Sequence, residues 1–145
     1  MELDIDKIER IKAIRKEKSV LSGEENALSA PILRDMSLIS EIYALFADIL
    51  SERPCPPDIR SVTQRKKFIF IILYLYSPGT LAGGKMKSGL REEMARTLGV
   101  KSVTIVSNNL EDVVFFYRNY KTFSADIGHI YTEILRRLKE KGLLK

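Results

Sequence analysis

Three groupings of residues in this sequence have types and spacings that invite a chemical reading. Cys55 and His129 would be the thiol and imidazole of a nucleophile–base pair. Cys55, however, lies inside Arg53-Pro-Cys-Pro-Pro-Asp58, and His129 falls in a distant helical pattern, off its apolar stripe. With one cysteine and one histidine in the chain, no intramolecular disulfide and no multi-cysteine zinc site can form, and neither a catalytic residue nor a metal ligand is expected. The second grouping, Gly79-Thr-Leu-Ala-Gly-Gly84-Lys85, fits the opening of a phosphate-binding loop but then places Met86 where a Ser or Thr hydroxyl must hold magnesium. No later apolar segment ends in a metal-binding Asp, since Val113 to Tyr117 runs into Arg118. No nucleotide or other cofactor is expected, and an enzyme is disfavoured.

The third grouping survives this scrutiny. Lys85, Lys87, Arg91, Arg96 and Lys101 surround a short stretch that holds only Glu92 and Glu93 in opposition, and Thr104, Ser107, Asn108 and Asn109 follow. Clustered cations suit the phosphates of double-stranded DNA, whereas hydroxyl and amide side chains suit base edges. The plain alternative for such cations is a solvated helix face.

These side chains need elements to position them, and Leu90 to Leu110 supplies a pattern. Leu90, Met94 and Leu98, with Ala95 beside them, make one apolar face at helical spacing. Gly99 can close that helix in the left-handed conformation, with Val100 tucked behind it. Ser102 is placed to cap a second helix carrying Val103, Val106, Leu110 and Val113. Over about twenty residues this resembles the helix-turn-helix of bacterial and phage DNA-binding proteins, matching at Met94, Ala95, Leu98, Gly99, Val100 and, less closely, Thr104, Ile105 and Ser107. Counted strictly from Gly99, Asn108 would occupy the third buried position of the second helix. One extra residue in the turn instead puts Val106 inside with Leu110 close by, leaving Thr104, Ser107 and Asn108 nearer the groove. The resemblance implies a small DNA-binding protein, a transcriptional regulator or a recognition component of a phage or mobile element. The alternative is a helical adaptor or assembly protein that uses the same pattern only for packing.

Charge supports the placement. Met1 to Pro57 holds 8 basic and 11 acidic residues, net −3, while Asp58 to Lys145 holds 16 and 8, net +8. The basic portion contains the motif, which favours a polyanionic partner there. The longest apolar run, Phe68 to Tyr76, is too short for a membrane helix. The charged N-terminus does not read as a secretory signal. The expectation is a cytoplasmic protein.

Along the rest of the chain, Leu3, Ile5, Ile8, Ile11 and Ile14 form a narrow stripe that needs a partner surface, either the rest of the chain or a second copy in a homodimer. A loop is expected from Ser22 to Asn26, with another break at Pro31. A helix from about Ile32 to Leu50 would bury Leu33, Met36, Ile39, Ile42, Tyr43, Phe46, Ile49 and Leu50. Arg53 to Asp58 cannot be helix interior. Ser61 to Tyr76 is strand-like in composition, yet no second strand exists to pair with it, so it is read as a central buried helix. Val113 to Tyr120 would continue the second motif helix as core, with Tyr117 and Tyr120 less suited to base stacking. Thr122 would cap a last helix with Phe123, Ile127, Ile130, Tyr131, Ile134, Leu135 and Leu138 inside, ending near Gly142. The fold expected is an all-α helical bundle containing a helix-turn-helix-like unit, divided as an N-terminal helical region with proline linker, 1–57, and a basic domain, 58–145.

Overall fold

A computed structural model describes residues 2–144, and the fold is all-α. The helices are α1 (Ile5–Leu28), α2 (Ile39–Ser51), α3 (Val62–Tyr76), α4 (Pro78–Leu81), α5 (Leu90–Leu98), α6 (Val103–Asn108), α7 (Leu110–Asn119) and α8 (Lys121–Glu140). No helix among the described residues is long and apolar enough to cross a membrane. The chain divides into two compact units, Met1–Ala30 and Pro31–Lys145, so the boundary falls well before the proline linker.

The first unit is α1. The Asp4 carboxylate accepts from the Lys7 amide and so caps the helix start. The helix then runs straight through Ser22 to Asn26, where a loop was expected. Gly23 is the poorest helix former there, and one interior glycine costs only about 1 kcal/mol against good helix formers such as Glu24, Glu25, Ala27 and Leu28. None of the helix's side chains is buried, and Ile5, Ile8 and Ile11 stand exposed.

The second unit holds the core. Its first residues are not helical as expected, because the Ile32 and Leu33 amides donate to the Leu75 carbonyl at 2.9 and 3.0 Å and tie the chain across the end of α3. Asp35 then opens a 3-10 turn, Met36–Leu38, by accepting from the Ser37 amide, so α2 starts only at Ile39. From there the expected Ile39, Ile42, Phe46, Ile49 and Leu50 are buried, Leu45 joins them, and Tyr43 is half-buried. Ser61 caps α3, its hydroxyl accepting from the Gln64 amide. The ambiguous apolar run is thus a helix, buried on nearly all sides at Phe68, Ile69, Ile71, Ile72, Leu73, Leu75 and Tyr76. Each such side chain contributes about 1.5–3 kcal/mol of burial. Phe68 meets Tyr43 and Phe46 edge-on, with centroids 4.9 and 5.6 Å apart.

Helix α8 closes the bundle by burying Phe123, Ile127, Ile130, Ile134 and Leu138 against the core. Tyr120 stands at its cap position, without a side-chain bond, where Thr122 was expected. Helix α2 packs on α3, α5 and α8, which is why the first 57 residues do not form a region of their own. The segment from Arg53 to Asp58 is non-helical, as the prolines require, but it is pinned: Arg53 and Lys67 both donate to Asp126 of α8.

Candidate nucleic-acid interface

Helix α5 is capped by Gly89 before it and Gly99 after it, both left-handed, with φ of 83° and 69°. Between them Leu90, Met94 and Ala95 are buried, as the spacing requires. Beyond Gly99 the Val100 amide reaches back to the Ala95 carbonyl at 3.1 Å, the six-residue closure that a left-handed glycine permits. Ser102 caps α6 through its hydroxyl, which accepts from the Thr104 amide at 3.1 Å. Helices α5 and α6 pack together, with Val106 fully buried and Asn108 exposed. Val106 thus faces inward and Asn108 outward.

The helix does not continue unbroken into the aromatic segment. The Asn109 amide bonds to Val106 with the tighter 3-10 spacing, and α7 starts anew at Leu110. The Asn109 side chain is drawn inward, only 8% exposed, and its Nδ2 donates to the Ile105 carbonyl at 2.6 Å. Asn109 therefore cannot face a base edge, which corrects the sequence reading. Phe115, Tyr117 and Tyr120, expected as core, are largely exposed, whereas Val113 is buried. A 10-residue helix packed on one side can bury only one stripe.

Among the remaining base-contact residues, Thr104 and Asn108 are exposed on α6. Ser107 is half-buried, and its hydroxyl is spent on the Val103 carbonyl.

The cations fall into two groups. Lys85, Lys87 and Arg91 line one cleft of about 280 Å³ with Met86, Ser88, Gly89 and Glu92, at the start of α5. The Lys87 ammonium donates to the Arg34 carbonyl at 3.3 Å, which holds it at the cleft. Arg91 Nε is buried with no hydrogen-bond partner, and sequence reading had no signal for that. Arg96 and Lys101 lie outside this cleft. Arg96 is engaged by Glu93 on the same helix, and their hydrogen bonds hold its pKa above the ordinary arginine value. It must leave that partner to meet a phosphate. Lys101 is exposed beside the turn.

The rejected groupings are also placed. The glycine-rich segment follows a helix rather than a strand, and its first residues form the short helix α4. The Gly84 amide donates to the Gly79 carbonyl at 2.9 Å, and a Cβ at Gly84 would stand 2.9 Å from that oxygen, so the glycine serves loop closure. Cys55 is exposed in the linker and His129 is exposed on α8. Among the described residues no group of three His, Cys, Asp or Glu side chains comes together as for a metal.

The fold and this cleft define an all-helical protein in which Lys85, Lys87 and Arg91 gather at the start of α5. In comparisons with known proteins, no family model, no curated protein and no solved structure matches the chain.

Proposed function

We propose that this is a small DNA-binding protein, a transcriptional regulator or a recognition component of a phage or mobile element, acting in the cytoplasm as a homodimer. The observation that carries the reading is the convergence of Lys85, Lys87 and Arg91 on one cleft beside a helix pair whose second member exposes Thr104 and Asn108. In this account the cleft cations take duplex phosphates and set the protein's register, while Thr104 and Asn108 read base edges in the major groove. Lys101 adds a flanking phosphate contact, Arg96 joins only by exchanging Glu93, and Asn109 holds the kink between α6 and α7.

Replacing Lys85 and Lys87 together by Ala tests the assignment in a fluorescence anisotropy titration. Affinity should fall alike on every duplex, and the salt slope should flatten by roughly one counterion per lost contact. Unchanged affinity in a variant with the parent's helical signal and melting temperature would contradict it. A second reading, a helical adaptor, is favoured by the exposed apolar side chains of α1 and by Phe115 and Tyr117 on α7 with Tyr120 just beyond it. It takes over if the folded protein has no salt-sensitive affinity for DNA.

A further inference from the structure

Away from the basic cleft, α3, α7 and α8 enclose a second one of about 240 Å³, lined chiefly by Phe70, Tyr74, Tyr117, Ile127, Gly128 and Tyr131. Phe70 and Tyr117 stack with centroids 4.4 Å apart and planes 9° apart. Tyr74 meets Tyr131 edge-on at 5.3 Å and 85°. No charged side chain lines the cleft, and its side-chain polar groups are the three tyrosine hydroxyls. Burial, and after it the neighbouring Tyr74, push the Tyr131 hydroxyl up.

Gly128 is an independent observation. It lies inside α8, its φ is not in the left-handed region, and a Cβ built on it would meet nothing within 4 Å. Neither backbone conformation nor close packing calls for glycine here, although glycine is among the least favourable residues in a helix. The position borders the cleft.

Size and charge then select the occupant. A cavity of roughly 150 Å³ admits benzene, so this cleft has room for about two fused rings. An organic cation would find no carboxylate here and would sit in the part of the chain carrying 16 basic and 8 acidic residues. An anion would find no cation in the lining. We infer that the cleft between α3, α7 and α8 binds a neutral, planar aromatic molecule of about two fused rings, with a polar edge that meets the tyrosine hydroxyls.

Indole is a suitable probe, being neutral, bicyclic and provided with one N–H donor. Titrated into the ¹⁵N-labelled full-length chain, it should produce saturable amide shifts centred on Gly128 and on the residues flanking Tyr74, Tyr117 and Tyr131. Gly128→Leu, which adds a bulky side chain at the cleft wall, and Tyr117→Leu, which removes an aromatic face from the lining, should each weaken binding at least about tenfold. Only variants that keep the parent's helical signal count, and undiminished affinity in either of them overturns the inference. The wild-type titration also decides by itself. Shifts that fail to saturate, or that map elsewhere, overturn the assignment, as does equally tight saturation of the same amides by tetramethylammonium.

Discussion

Lys67 Nζ of α3 stands 2.6 Å from Asp126 Oδ2 of α8, and Arg53 from the proline linker donates to the other oxygen of the same carboxylate. One anion thus holds two cations, and the Lys67 side chain is only 10% exposed. Burial by itself would raise the Asp126 pKa, but the hydrogen bonds from Arg53 and Lys67 outweigh it and hold the carboxylate below its ordinary value.

Asp126→Asn should therefore destabilise the protein by about 2–4 kcal/mol at pH 7, because it leaves Lys67 without a counter-charge. The sign with pH follows from the lowered value. The carboxylate's contribution is complete above the unfolded-state pKa of about 3.9 and is lost as pH falls through the lower folded value. Urea unfolding of parent and variant at pH 7, 4 and 2.5 should show a gap that narrows below about pH 4. A gap independent of pH would contradict the assignment.

The two asparagines at the end of α6 should separate cleanly. Asn108→Ala should cost about 1–3 kcal/mol on a preferred DNA site and little on random duplex, with melting unchanged. Asn109→Ala should instead lower stability by about 1 kcal/mol, by removing the buried bond to the Ile105 carbonyl, with little loss of site preference. Thermal melting and anisotropy on both variants check this, and the opposite pairing of effects would refute the placement.

Glycine-to-alanine changes should take opposite signs at two positions. Gly99 has a φ of 69°, so Gly99→Ala should cost about 1–2 kcal/mol and lower the melting temperature. Gly23 is helical and meets nothing within 4 Å, so Gly23→Ala should increase helical circular dichroism by favouring α1 by about 1 kcal/mol.

If the Ile5, Ile8 and Ile11 face of α1 pairs with a second copy, the full chain should sediment as a dimer, and the chain lacking residues 1–30 as a monomer. A monomeric full chain at tens of micromolar, on the order of ordinary working concentrations, would count against it.

Much of this was legible in the sequence wherever the signal is local. The apolar spacing of α2, α5 and α8 fixes their inner faces, and Gly99 and Ser102 mark the turn through their own backbone preferences. The strand-like run of α3 needed a global argument, the want of any strand to pair with it. Other features had no local signature. Asp126 joins residues 59 and 73 positions away. The start of α2 was displaced by amide bonds from Ile32 and Leu33 to Leu75, and a single glycine proved too weak to stop α1. Asn108 and Asn109 are chemically identical, so only the break before α7 tells which faces outward.

The central claim is met most directly by titrating a mixed-sequence duplex with the wild-type chain at about 50 and 200 mM salt. Phosphate contacts by Lys85, Lys87, Arg91 and Lys101 predict a slope of log affinity on log salt of about −3 to −4 per protomer, and about twice that for a bound homodimer. A slope near zero, or no measurable binding at the lower salt, would contradict the account and leave α5 and α6 as a packing unit.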